Sequence, residues 1–199
     1  AERLYRRALA ITYKAFGPKH PSVATLQANL GELYQTQRRY LLAESWYQRA
    51  LTLQEQNLGI EHPDVARSLN RLASLQVIQG EYTKARTLLN RALAILEKAF
   101  GPEHPEMALI FGDLGNLHRL QGHHGEAKSF YLRALTLLEK FQGPKHPELA
   151  SVLSNLAGVY FIQGQYADAE PLLKRALDIR EKTLGPTHPE VGQSLQNYA

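Results

Sequence analysis

The sequence predicts an all-α repeat solenoid, and three observations carry that prediction. A five-residue motif recurs on a 42-residue ruler: Gly-Pro-Lys-His-Pro at 17–21, Gly-Ile-Glu-His-Pro at 59–63, Gly-Pro-Glu-His-Pro at 101–105, Gly-Pro-Lys-His-Pro at 143–147 and Gly-Pro-Thr-His-Pro at 185–189. Between the marks, apolar residues recur with helical spacing, and nine of the ten prolines fall in the ruler motif. No insertion disturbs the register. A fixed period of this size denotes one supersecondary unit stacked on itself rather than one closed core.

Each unit reads as two antiparallel helices. A lone second helix opens the chain at about 1–15. First helices then cover roughly 22–37, 64–79, 106–121 and 148–163, and second helices roughly 41–57, 83–99, 125–141 and 167–183. A partial first helix closes the chain at 190–199. In domain terms, 1–199 is expected to be one domain. Residues 1–16 form the second helix of a truncated repeat, and 22–58, 64–100, 106–142 and 148–184 are four complete repeats. A further repeat starts at 190–199. The chain begins and stops in mid-repeat, as expected of a fragment of a longer protein.

The punctuation has mechanisms. Gly17, Gly59, Gly101, Gly143 and Gly185 are expected to end helices in the left-handed conformation. The motif's second proline (Pro21, Pro63, Pro105, Pro147, Pro189) suits the first helical position, where a missing N–H costs nothing. Asp64, Glu106, Glu148 and Glu190 follow at the positive end of the helix dipole. Gly80, Gly122 and Gly164 mark the turn inside each unit, and Arg38 replaces that glycine in the first complete unit, predicting a less relaxed turn. Pro171 lies early enough in its helix to be tolerated. Leu30, Leu72, Leu114 and Leu156 recur on the first helices, each followed by Gly31, Ala73, Gly115 or Ala157. On the second helices Ala43, Ala85, Ala127 and Ala169 recur early. Ala50, Ala92, Ala134 and Ala176 recur later, followed by Leu51, Leu93, Leu135 and Leu177. Small residues let helix axes approach, and leucines fill the space between layers.

Composition narrows the function classes. Apolar residues make up 44%, a globular value, and no apolar run is long enough for a membrane span. There is no cysteine, hence no disulfide, metal thiolate or thiol nucleophile, which fits a reducing, cytoplasmic location. The 23 basic and 19 acidic residues give a net charge of +4, too dispersed to point to nucleic acid. No phosphate-binding glycine loop or zinc-protease helix motif is present, so neither an enzyme nor a cofactor is expected. His20, His62, His104, His146 and His188 recur one per linker and cannot converge on one ion, so they read as linker packing and hydrogen bonding. His124 replaces a tyrosine of the other units and predicts a loosened turn. Arg7, Arg49, Arg91, Arg133 and Arg175 form a ladder on the second helices, with Glu55, Glu97, Glu139 and Glu181 nearby. That reads as a salt-bridged ridge. Trp46 reads as packing.

The series Leu72-Ala73, Gly80, Tyr82, Ala85, Leu89 and Ala92, repeated as Leu156-Ala157, Gly164, Tyr166, Ala169, Leu173 and Ala176, resembles the tetratricopeptide repeat. Ordinary units of that family have about 34 residues. The 42-residue unit, with Asn-Leu-Ala at 155–157, Gln-Gly-x-Tyr at 163–166, Arg-Ala-Leu at 175–177 and Glu-Lys-x-Leu-Gly at 181–185, resembles the kinesin-light-chain type. The near-identical copies are similar to bacterial arrays of that type. The resemblance implies a right-handed superhelical solenoid whose first helices line a concave groove. It places in the groove Thr25, Ala28, Asn29, Glu32 and Gln35; then Arg67, Asn70, Arg71, Ser74 and Val77. Leu109, Gly112, Asp113, Asn116 and Arg119 follow, then Ser151, Ser154, Asn155, Gly158 and Phe161, and last Gln193, Gln196 and Asn197.

These positions vary between units while the packing positions repeat. Asparagine amides both donate to and accept from a peptide backbone, arginines hold carboxylates, and Val77, Leu109 and Phe161 offer apolar anchor points. By resemblance, the Asn before the repeated Leu (Asn29, Asn155, Asn197) contacts a bound peptide, and Arg71 and Asp113 depart from that pattern. The candidate groove residues are thus Asn29, Arg67, Asn70, Arg71, Asn116, Arg119, Asn155 and Phe161. The expected function is a protein-interaction scaffold gripping an extended segment of acidic character, with no nucleic acid partner. Two alternatives stand beside it: a structural spacer that self-associates end to end through uncapped repeats, and a regulatory or sensor arm of a larger signalling or defence enzyme.

Overall fold

A computed structural model describes residues 1–198, with the backbone alone at Tyr198; Ala199, the last residue of the expected terminal helix, lies outside the described residues. Among the described residues there are ten helices and no strand. They are α1 Glu2–Phe16, α2 Pro21–Thr36, α3 Tyr40–Leu58, α4 Pro63–Ile78, α5 Tyr82–Phe100, α6 Met107–Leu120, α7 His124–Gln142, α8 Pro147–Ile162, α9 Tyr166–Leu184 and α10 Pro189–Tyr198. The architecture is the all-α repeat solenoid that the ruler predicts. The helices fall into two compact units, the first running from Ala1 to Gly101 and the second beginning at Pro102. In the first unit α2 packs on α3 and α4 on α5, while α1 covers α2 and α3 abuts α4. In the second, α6 packs on α7 and α8 on α9; α7 abuts α8, α10 covers α9, and α6 also touches α8.

The linkers show why the motif is spelled as it is. Gly17, Gly59, Gly101, Gly143 and Gly185 all have positive φ, between 84° and 90°, but their ψ lies between 154° and 172°. This is not the left-handed helical conformation expected from sequence. It is an extended mirror-image region that essentially only glycine occupies. In four linkers the carbonyl of that glycine accepts from the histidine N–H three residues on, closing a turn whose second position suits proline. The histidine Nδ1 accepts the backbone N–H two residues later in all five linkers, at 3.2–3.4 Å, and in this way His20, His62 and His146 cap the helices that follow them. The hydrogen-bonding reading of these histidines is therefore correct, with a defined acceptor role. Proline starts the helix at Pro21, Pro63, Pro147 and Pro189. It does not at Pro105, because Met107 and Ala108 donate to carbonyls three residues back and the α-helix begins only at Met107.

The turns inside the repeats carry glycine at positive φ, as at Gly80 with φ 79°. Arg38 holds the same turn at φ 58°, the one non-glycine with positive φ among the described residues, in line with the less relaxed turn predicted. The turn before His124 keeps the same bonds as its counterparts, with the His123 N–H donating to the His118 carbonyl at 2.8 Å, so the loosening expected there does not occur. Pro171 sits inside α9 without ending it.

Packing follows the ruler with one unpredicted modulation. Leu30, Leu72, Leu114 and Leu156 are buried, as are all eight recurring alanines of the second helices. Of the later leucines, Leu51 and Leu135 are buried, whereas Leu93 and Leu177 are only half-buried. The small residue after the repeated Leu governs what faces it. At Gly31 an added Cβ would lie 2.5 Å from the Tyr47 ring, and at Gly115 it would lie 2.6 Å from the Tyr131 ring. Where the chain has Ala73 and Ala157 instead, the residues at the tyrosine positions are Leu89 and Leu173. The unit thus alternates between a Gly–Tyr and an Ala–Leu solution, a period of two repeats.

Candidate functional site

The side chains on the first helices that the helix pairs leave uncovered form the candidate surface. In the first unit it centres on Tyr47. The ring lies flat against the backbone at Gly31, which carries its hydroxyl through to donate to Gln35 Oε1 at 2.9 Å. Burial pushes the Tyr47 phenol up to about 12; the Glu32 carboxylate adds to this and the Arg71 guanidinium opposes it. Glu32, Gln35 and Arg71 therefore share one neighbourhood, with Arg71 exposed. Arg67, also exposed, donates to Asp64 Oδ1 at 2.7 Å in the first turn of its own helix. Asn29 is half-buried on α2.

Asn70 requires a correction. It is only 5% exposed, so it is part of the interior rather than of the surface, and its Oδ1 has no hydrogen-bond partner. The same position holds Ala28, Gly112 and Ser154 in the other repeats. The amide was assigned to the groove by the resemblance, which gives a place in the repeat and not its depth.

The second unit has a defined cleft between α6 and α8 of about 220 Å³. Leu109, Gly112, Asp113 and Asn116 line it from α6, and Ser151 and Asn155 from α8. Ala108, Val152 and Leu138 of α7 complete its apolar lining, and Glu148 joins at the start of α8. Asn116 is oriented from below: the Tyr131 hydroxyl donates to its Oδ1 at 2.8 Å, which leaves the amide nitrogen to donate outward. Tyr131 is the counterpart of Tyr47. Its phenol is raised by burial and further by Asp113, against the hydrogen bond and charge of Arg119.

The structure thus brings Asn116 and Asn155 together with Leu109 at one cleft. It does not bring Arg119 or Phe161 there. Arg119 is half-buried against Tyr131, with its Nε unpartnered. Phe161 is 61% exposed and meets the Tyr166 ring edge-on, centroids 5.1 Å apart. Sequence reasoning missed Tyr47 and Tyr131, which lie on the second helices. The signal was present: Gly and Ala alternate after the repeated Leu in step with Tyr and Leu sixteen positions on.

The ridge on the second helices is partly as expected. Arg91 pairs with Glu55 at 2.7 Å and Arg175 with Glu139 at 2.5 Å. Arg49 and Arg133 instead lie over the rings of Trp46 and Phe111, at 5.0 and 3.9 Å. Trp46 is half-buried rather than core. Among the described residues no group of three or more His, Asp or Glu side chains could hold a metal ion, and no helix is long and apolar enough to cross a membrane.

The family profile described as tetratricopeptide repeat matches residues 1–56, 23–98, 64–140, 106–182 and 148–199. Among solved structures, BtubC (BKLC) from P. vanneervenii is similar with a TM-score of 0.76 and 27% identity, over 95% of this chain and 75% of that one. A Podosopora anserina chain of nearly identical TPR-like repeats, described as a kinesin light chain, gives a TM-score of 0.69 and 26% identity over 92% of this chain and 86% of that one. A second crystal structure under that description gives a TM-score of 0.66 at 26% identity, over the same 92% and 86%. No curated protein matches the chain in sequence. With profile matches that together span its whole length and kinesin-light-chain-like structural neighbours, the chain belongs to the tetratricopeptide repeat family in its kinesin-light-chain-like form, whose repeats generally mediate protein–protein interaction or scaffolding.

Proposed function

We propose that the chain is a non-catalytic scaffold that binds an extended segment of a partner protein on its first-helix surface. The observation that carries this reading is the α6–α8 cleft, where apolar lining meets two asparagine amides, one of them oriented by Tyr131. Leu109, Val152 and Leu138 offer an apolar seat for one anchor side chain, while Asn116 and Asn155 flank it with groups that match a peptide backbone. In the first unit the exposed Arg67 and Arg71 favour acidic residues of a bound segment. Asp113 and Glu148 at the second unit's cleft do not, so acidic preference belongs to the first unit alone.

The test is a fluorescence-anisotropy titration with dye-labelled peptide libraries. Asn155→Ala and Leu109→Asp should each weaken selected peptides by about ten-fold, the size of one lost hydrogen bond or anchor contact. Arg71→Glu should weaken acidic peptides and spare neutral ones. Selected peptides that bind all three variants as they bind the parent would sink the reading.

A further inference from the structure

The ladder arginines of the second helices are not all held alike. In the second and fourth complete repeats the arginine is tied twice. Arg91 Nη2 lies 2.7 Å from Glu55 Oε1 and donates to the Ile60 carbonyl at 3.2 Å. Arg175 does the same, to Glu139 Oε1 at 2.5 Å and to the Pro144 carbonyl at 3.2 Å. Each carboxylate comes from the preceding second helix. In the first complete repeat the residue at that place is Tyr13, which has no carboxylate to give, and Arg49 rests on the Trp46 ring 5.0 Å away.

A second change accompanies the first. The buried apolar position held by Leu69 and Leu153 is Gln27 here, 6% exposed. Gln27 Nε2 donates to the Tyr13 hydroxyl at 3.1 Å, but its Oε1 is buried without a hydrogen-bond partner. A buried acceptor left unmade is a standing cost unless something serves it. Gln27 and Arg49 line one cavity of about 450 Å³, together with Pro18, Ser45, Gln48 and Thr52. In the third repeat Phe111 stands where Gln27 is, and the Arg133 guanidinium covers that ring at 3.9 Å. That repeat offers no buried acceptor in its place.

We propose that the cavity of the first repeat binds a carboxylate, the side chain of a glutamate or aspartate in a partner polypeptide. The ligand carboxylate does for Arg49 what Glu55 and Glu139 do for Arg91 and Arg175. Gln27 gives the cavity wall a polar residue that Leu69 and Leu153 do not provide, and Ser45, Gln48 and Thr52 supply further polar contacts. The site is separate from the first-helix surface and does not depend on it.

Trp46 is the one tryptophan of the chain, so its fluorescence reports whether Arg49 leaves the ring. The probe is the capped pentapeptide acetyl-Ala-Ala-Glu-Ala-Ala-amide, with its Gln counterpart as control. The Glu peptide should give a saturable change in Trp46 emission, and the Gln peptide should bind at least ten-fold more weakly. Arg49→Gln should lose the response, and Gln27→Leu, which restores the apolar residue of the other repeats, should weaken binding about ten-fold. Tyr13→Glu should supply the missing carboxylate internally: Trp46 emission shifts without peptide and added peptide no longer binds. Asn155→Ala should leave the response unchanged. Equal responses to the two peptides, no saturable signal, or a Tyr13→Glu variant that binds as the parent does would overturn the proposal, as would a loss of response in Asn155→Ala.

Discussion

The first and third complete repeats differ from the second and fourth by one coupled exchange. In the first kind a glycine backbone receives a tyrosine ring; in the second an alanine receives a leucine. Tyr131 and Leu89 are both fully buried, so both solutions fill the layer. Only the tyrosine carries a hydroxyl through it, and that hydroxyl orients Gln35 in one case and Asn116 in the other. A packing choice on the second helix therefore decides which amide group the first helix presents. The lesson is that a repeat can keep its stacking geometry and still change its surface from beneath.

The comparison can be broken most severely at the glycine. Gly115→Ala drives a Cβ to 2.6 Å from a fully buried ring and should destabilise the protein by about 1–3 kcal/mol in urea denaturation. Adding Tyr131→Leu recreates the pairing of the even repeats and should recover most of that loss. A double variant no more stable than Gly115→Ala alone would mean the alternation is not a packing pair. A smaller effect, of opposite sign, comes from the turn. Arg38→Gly removes the cost of a left-handed non-glycine residue and should stabilise by about 1–2 kcal/mol, bringing the first repeat into line with the others.

At the linkers, His146→Ala should cost about 1 kcal/mol through the lost cap, and His146→Asn, which also accepts a backbone N–H, should cost less. Last is the pH response. The Tyr47 phenol is held up to about 12, so the unfolded chain releases this proton near pH 10 while the folded chain retains it. The stabilisation is present in full below about pH 10 and is lost as the pH rises from there toward 12. Ultraviolet difference spectra should show late-titrating phenol absorbance, part of which Tyr47→Phe removes, since burial raises Tyr131 as well. Near-normal titration of every tyrosine would disprove the burial argument.

The fold was legible because its signals are local. Glycine, proline and a helical period speak through neighbours in sequence, and helix limits lie within two residues of the expected ones. Even so, the cap at His146 was foreseen only as hydrogen bonding, because an imidazole acceptor has no sequence mark distinguishing it from a packed ring. The candidate surface was half legible. The resemblance named Asn116 and Asn155, which meet at the α6–α8 cleft, and assigned Asn70 to the same face, since a place in the repeat gives direction and not depth. Tyr47 and Tyr131 were invisible to a reading of one helix at a time. Their roles depend on glycines across the layer, and the alternation shows only when two repeats are compared with the two that follow.

The histidine caps have one more consequence. Each Nδ1 is an acceptor, so in the neutral ring the proton sits on Nε2, and five such rings mark the five linkers in order. The chain therefore carries its own evenly spaced set of magnetic-resonance reporters. Following the five imidazole signals through denaturation would show whether the array melts in one step or frays from an end, linker by linker, as a one-dimensional lattice of neighbours can.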